Sequence, residues 1–300
     1  MKVIDTIEKF EKEVLEGEEE PLVDCLIKDM DIPEIDSKIL LSMPLSDVIF
    51  VNCSFNITSK KVSIRISDKV SFINCDFGKH FEVIFKGAPY LEKRDTTLSI
   101  KGMDSKNGNI TLSGNIYDIN IIDSNLDCIT VSKYEKGASL RLINSNIKRL
   151  LFGDSIGYYR HYPVIADSLH FISTEVDDFI LFEQVMLYLL SKDTSLYKFM
   201  VSDSVNNVEI YCEIKDSDLR NMSFLGISFY GTVFTRCKLD NADFSKSNMY
   251  KRNQSRSISF FYCGDMNDVK VPAHLGILEQ SFRHKMIVSV SDPRLESRQE

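Results

Sequence analysis

Tryptophan is absent, and glycine and proline number only 13 and 7 in 300 residues, the composition of an ordinary soluble protein. A disulfide framework is missing as well. The seven cysteines are scattered, with no C-x-x-C pair and no histidine at metal-ligand spacing, and an odd count of this kind fits a reducing compartment. The start, "MKVIDTIEKFEKEVLEGEEE", lacks the basic and apolar regions of a secretion signal. The longest apolar run, "FILFEQVMLYLL" (179–190), is too short to span a bilayer. A cytoplasmic protein with no membrane role is expected. No P-loop, G-x-G-x-x-G or G-x-S-x-G motif occurs, so nothing asks for a nucleotide, cofactor or activated serine.

The net charge of −8 is concentrated at one end. Residues 1–24 hold three lysines against nine acidic residues and so carry −6, which leaves −2 for the rest of the chain. The body is almost neutral.

What the sequence does contain is a period of five. In "MSFLGISFYGTVFTRCKLDNADFSKSNMY" (222–250), Phe224, Phe229, Phe234, Leu239, Phe244 and Met249 fall at every fifth position. Neither a helix, at 3.6, nor a strand, at 2, produces that spacing. With the residue two before each centre as its companion, the units run Cys212/Ile214, Ser217/Leu219, Met222/Phe224, Ile227/Phe229, Thr232/Phe234, Cys237/Leu239, Ala242/Phe244 and Ser247/Met249. The stretch resembles the pentapeptide repeat family, most clearly at "SDLRN", "CKLDN" and "ADFSK". The resemblance implies a right-handed, four-sided parallel β-helix with one repeat per side and about four per coil.

Residues twenty apart should then stack at roughly the 4.8 Å strand spacing. Inward stacks become Ile214 with Phe234, Leu219 with Leu239, Phe224 with Phe244 and Phe229 with Met249, all apolar. Outward, Asp216 falls beside Arg236, Asp218 beside Lys238 and Arg220 beside Asp240, each pair of opposite sign. A looser form recurs upstream: "VIFVNCSF" (48–55), "VSFINCDF" (70–77), "INIIDSNL" (119–126), "LRLINSNI" (140–147) and "LHFISTEV" (169–176). Coils of 20 to 22 residues would carry the β-helix from 45 to 251, with no clear register between 80 and 118.

An open β-helix exposes strand edges, so helical caps are expected over 1–44 and 252–300. Ile7, Phe10, Val14 and Leu15 form one apolar stripe behind a capping-box-like Asp5 and Glu8. A C-terminal helix is expected from Pro272, with Leu275, Leu278, Phe282 and Met286 on one face. Residues 179–200, "LFEQVMLYLLSKDTSLYKFM" from 181, read as a helical insertion, either buried or an interface. The fold class is all-β with helical caps.

The chemistry-bearing residues offer little for catalysis. Cys53, Cys75, Cys212 and Cys237 occupy inward companion positions, where a small side chain packs. Cys25, Cys128 and Cys263 have no such place, and His274 lies eleven residues beyond Cys263. His80, His161, His170, His274 and His284 form no metal motif; His170, between Leu169 and Phe171, should point outward. Other right-handed β-helices cleave polysaccharides with outer-face carboxylates, for which Asp123, Asp127, Glu175, Asp177 and Asp178 are the candidates.

The resemblance suggests two further readings. Some family members protect type II topoisomerases by imitating duplex DNA, but the strict repeats balance five basic against five acidic residues, which argues against a mimic. Others are bacterial effectors delivered into host cells. The expected function is non-enzymatic binding of a protein partner, without nucleic acid, membrane, metal or cofactor, in a bacterial cytoplasm or a host cytosol. Dimerisation stays open. Tyr230 and Tyr250, twenty apart and outward, with Leu225 on the adjoining face, are the candidate partner-binding residues.

Overall fold

Short apolar-x-apolar segments separated by Asn, Asp or Gly become strands that turn a corner and return one coil later. The computed structural model describes residues 1–12, 22–32, 43–55, 61–78, 82–87, 96–114, 116–132, 139–152, 164–181, 185–201, 208–225, 227–247, 258–261, 263, 268–270 and 287–290. The chain divides into two units, Met1–Lys148 and Arg149–Glu300.

In the first unit one parallel sheet stacks Lys2–Ile4, Cys25–Lys28, Val48–Val51, Lys69–Ile73, Thr97–Lys101, Asp118–Ile122 and Ser139–Ile143. A second stacks Leu22–Val23, Pro44–Ser46, Lys61–Ile66, Glu82–Gly87, Asp104–Ser113 and Asn125–Ser132. In the second unit Val164–Ile172, Val185–Lys192, Val208–Lys215, Ile227–Thr235 and Ile258–Phe261 stack in parallel, and Ile287–Val290 adds antiparallel to the last. Beside them stack Glu175–Leu181, Ser195–Val201 and Phe224–Leu225. Each unit is parallel β-helix.

The corners explain the sequence. Among the described residues fourteen non-glycine residues have positive φ, and all but Ser173 and Arg236 are Asn or Asp, the side chains that best tolerate this left-handed backbone. Asn52, Asn74, Asp123 and Asn144 are those of the recurring frames. Their side chains form ladders between coils: Asn52 Nδ2 donates to Asp29 at 2.8 Å, Asn74 Nδ2 to Asn52 at 3.2 Å, and Asn144 Nδ2 to Asp123 at 3.2 Å. The position after a corner is inward, and in eight of the coils it is small. Cys53, Cys75, Ser124, Ser145, Thr174, Thr194, Ser217 and Cys237 are all buried there.

Buried hydroxyls demand partners, and the coil supplies them. Ser145 Oγ donates to the Ile143 carbonyl at 2.8 Å and accepts the Ser124 N–H at 3.2 Å. Ser124 Oγ repeats this with the Ile122 carbonyl at 2.8 Å and the Met103 N–H at 3.2 Å. Ser145→Ala should therefore cost about 1–3 kcal/mol, because it strands a buried donor. Ser145→Cys should cost less, since cysteine serves at this place in other coils. Urea denaturation of the two variants checks the ranking.

Behind the corners lies a column of phenylalanines. In the first unit Phe50 stacks on Phe72 at 4.8 Å and Phe55 on Phe77 at 4.7 Å. In the second, Phe179 stacks on Phe199 at 4.5 Å and Phe224 on Phe244 at 4.4 Å.

Three expectations are corrected. Residues 179–200 are not a helical insertion: Glu175–Leu181, Val185–Lys192 and Ser195–Val201 are strands paired in parallel. Apolar side chains at nearly every position hide the two-residue alternation there, while "SKDTSL" supplies the same corner as the other frames, with Asp193 at φ 50° and Thr194 buried behind it. Among the described residues of 1–44 strand outweighs helix, in place of the expected helical cap. "CLIKDMDI" (25–32) is one more corner frame, with Leu26 paired to Ile49 and Asp29 at φ 55°.

The α-helix among the described residues of that stretch is Ile7–Phe10, capped by Thr6 rather than Asp5, whose carboxylate instead pairs with Lys9 at 2.6 Å. Phe10 is buried. Finally, strand pairing continues past 251, in Ile258–Phe261 and in the bridge of Asp243 to Lys270. The expected helix from Pro272 to Met286 lies outside the described residues.

Candidate partner-binding surface

The strict repeats build the outer surface of the second unit from a fixed register. Companions and centres are buried alike: Ser217, Leu219, Met222, Phe224, Ile227, Phe234, Cys237, Leu239, Ala242, Phe244 and Ser247 are each 7% exposed or less. Ile214 pairs with Phe234, and Leu219 donates its N–H to the Lys238 carbonyl at 2.9 Å, the coil of twenty that the sequence implies. Asn221 and Asn241, at φ 61° and 58°, close turns in which Met222 and Ala242 donate back to Leu219 and Leu239. A positive φ at the third turn residue is the type II requirement, and asparagine meets it. Met249 lies outside the described residues.

The outward charges are neutralised in pairs. Arg236 holds Asp216 through two hydrogen bonds, at 2.6 and 2.7 Å, across one coil. Asp218 and Lys238 are bridged through the backbone as the register requires, but the carboxylate of Asp218 is gripped by Arg220 at 2.5 Å, two residues on in its own coil. The sequence pattern sets Arg220 beside Asp240, and Asn221 donates its N–H to the Asp240 carbonyl at 2.8 Å; the turn at 219–222 also brings the Arg220 guanidinium over Asp218. Asp243 pairs with Lys270 at 3.8 Å.

These contacts hold carboxyls below their usual range: Asp216 through Arg236, and Asp218 through Arg220. For Asp243 burial pulls upward and is outweighed by hydrogen bonds from Ser245. A carboxyl depressed in the folded state contributes stability that is present above its unfolded pKa of about 4 and lost as pH falls through the lower folded value. Stability of the second unit should thus hold from pH 7 down to about 4 and decline below it. Asp216→Asn should flatten part of that decline. Thermal melts across the pH range test both.

The candidate residues fare unevenly. Tyr230 sits in Ile227–Thr235 and pairs with Tyr211, which pairs in turn with Tyr188. Three tyrosines thus occupy one register position on three successive strands. Stepping by twenty could not find them, because the intervals are 23 and 19 and the register shifts between Tyr211 and Glu213. Leu225 ends Phe224–Leu225, opposite Met200. Tyr250 lies outside the described residues.

Several of the residues weighed for catalysis are engaged structurally. Asp123 accepts from Asn144 and pairs with Lys101 at 3.9 Å, and Asp127 pairs with Lys148 at 3.2 Å. Asp178 is in register with Lys198, while Glu175 and Asp177 are exposed on the same strand. Cys25, Cys53, Cys75, Cys128, Cys237 and Cys263 are buried. The Cys75 thiol is pushed up by its hydrogen bond with Cys53 and by burial, and Cys237 by Cys263 and burial, which suits packing rather than attack. Cys212 is placed only by its backbone, opposite Leu189. His170 is half-buried between the buried Leu169 and Phe171; His80, His161, His274 and His284 lie outside the described residues. Among the described residues no cluster of three His, Cys, Asp or Glu could hold a metal, and no helix is long and apolar enough to cross a membrane.

The family model of pentapeptide repeats matches residues 212–249 in eight copies, the same eight units read from the five-residue period. Residues 212–249 are pentapeptide repeats. The buried companions and centres of that stretch are the two inward positions of each pentapeptide. No curated protein and no solved structure matches the chain.

Proposed function

We propose that this protein is a non-enzymatic scaffold that binds a protein partner through the outer surface of its coils. The observation that carries the reading is the row of Tyr188, Tyr211 and Tyr230 at one register position. Tyrosine supplies large contact area at low entropic cost and is enriched among residues that dominate binding energy. A parallel β-helix holds such a row at a fixed spacing of about 4.8 Å, so little ordering remains to be done on association. The pairwise neutralised carboxylates of the same unit support a protein partner over imitation of the continuous negative charge of DNA. In this reading the protein works in a bacterial cytoplasm or, as a delivered effector, in a host cytosol.

The test is capture of partners by the full chain from bacterial and eukaryotic lysates, repeated with Tyr188→Ser/Tyr211→Ser/Tyr230→Ser. The wild type is expected to retain one saturable protein that the triple variant binds at least tenfold more weakly at an unchanged melting temperature. Undiminished binding by the variant would reject the tyrosine row. Recovery of gyrase or topoisomerase IV would replace the proposal with topoisomerase protection.

A further inference from the structure

The first unit carries a concavity of about 580 Å³ at the ends of four successive strands of its second sheet. Its walls follow from the register. Pro44, Arg65, Lys86 and Ser113 occupy one row, each opposite the next on neighbouring strands. Arg65 and Lys86 are therefore like charges directly opposed, an arrangement that destabilises a sheet when nothing offsets it.

The other end of the same two strands shows the contrast. There Lys61 faces Glu82 and the pair closes at 3.3 Å. Two further outward cations of the first unit are likewise matched, Arg141 with Asp118 at 3.1 Å and Lys148 with Asp127 at 3.2 Å. Arg65 and Lys86 are exposed, line the concavity, and make no ion pair with any described residue. Two cations of the same strand pair thus remain uncompensated where the surface is hollow.

Two glycines contribute only backbone to the lining. They are Gly87 and Gly114, and a Cβ on Gly114 would lie 2.9 Å from the Gly87 carbonyl oxygen. Among the described residues Pro44, Ser67 and Ser113 line the concavity as well, the Ser113 hydroxyl donating to the Phe85 carbonyl at 3.4 Å. A volume of this size falls within the range of small-molecule sites and exceeds what a bare oxyanion fills.

We propose that this concavity binds a small phosphorylated organic molecule. Its phosphate would be held between the Arg65 guanidinium and the Lys86 ammonium, and its organic part would lie on Pro44. A guanidinium matches phosphate oxygens bidentately, and two adjacent cations match a dianion better than a monoanion.

The experiment is titration of the full chain, followed by amide chemical shifts and calorimetry, with phenyl phosphate, inorganic phosphate and benzoate. Phenyl phosphate is expected to bind tightest of the three, with shifts confined to the neighbourhood of Gly87 and Gly114. Arg65→Gln and Lys86→Gln should each weaken it about tenfold or more, while Lys61→Gln, at the far end of the same strands, should leave it unchanged. Because the second phosphate proton titrates at about pH 6, affinity should drop roughly tenfold between pH 7 and pH 5. Benzoate binding as tightly as phenyl phosphate would overturn the phosphate assignment. Equal affinity for inorganic phosphate would overturn the organic part, and wild-type affinity in Arg65→Gln/Lys86→Gln would overturn the site.

Discussion

Phe224→Ala is expected to destabilise the second unit by about 3–5 kcal/mol, one of the two largest effects of a single substitution anticipated for this chain. Phe224 is 1% exposed and central to the aromatic column. Its ring stacks on Phe244 at 4.4 Å and 10°, and meets Phe199 and Phe234 edge-on at 6.2 Å each. Truncation removes the transfer energy of the ring and three aromatic contacts, and leaves a cavity between coils whose backbones are hydrogen-bonded in register. Backbones fixed that way cannot collapse into the gap, which is the condition under which large-to-small substitutions cost most. A solenoid is close to one-dimensional, so the loss should concentrate in the coils touching residue 224. Hydrogen exchange should show protection falling across 195–247 before the rest of the unit. Phe224→Leu, which keeps most of the volume, should cost less than half as much. Equal stability of wild type and Phe224→Ala would mean that the column does not carry the load assigned to it.

The same column shows how far the sequence could be read. Where every repeat centre is apolar and the corners are twenty residues apart, as at Phe224 and Phe244 or Asp216 and Arg236, period and register are both visible in the letters. Elsewhere the period is blurred by chemistry that the fold tolerates. Lys69 pairs with Thr97, a coil of 28 residues, and the corner of the latter is Gly102 followed by Met103, so neither spacing nor residue type matches its neighbours. In 179–190 apolar residues at nearly every position hide the alternation, and the rule that distinguishes strand from helix has little to act on.

The candidate surface suffers from the same irregularity. Tyr230 could be singled out, but Tyr188 and Tyr211 belong to coils of unequal length and were not aligned with it. The Arg65 and Lys86 pair is invisible in the sequence for a related reason. It depends on a register of 21 in a region where the coil length changes on the next turn.

Gly114→Ala is expected to cost about 2–4 kcal/mol, combining left-handed strain with overpacking of a site that has no spare room. Gly114 has φ 75°, and an added Cβ would lie 2.9 Å from the Gly87 carbonyl oxygen and 3.3 Å from its nitrogen. Both obstacles are backbone, held by the pairing of Glu82–Gly87 with Asp104–Ser113, so neither can rotate away. Gly102 provides the comparison. Its φ is 67°, and a Cβ there would run into Asn74 Oδ1, a closer approach but to the end of a side chain. Asn74 can turn aside at the loss of its 3.2 Å hydrogen bond to Asn52. The two glycines therefore share a conformation but differ in what opposes them, and Gly102→Ala should cost about 1–2 kcal/mol, chiefly the left-handed strain. Denaturant unfolding of the two variants separates the terms: a Gly114→Ala loss no larger than that of Gly102→Ala would show that the coils can slide apart to admit a methyl group, and that the backbone contact at Gly87 is softer than its geometry implies.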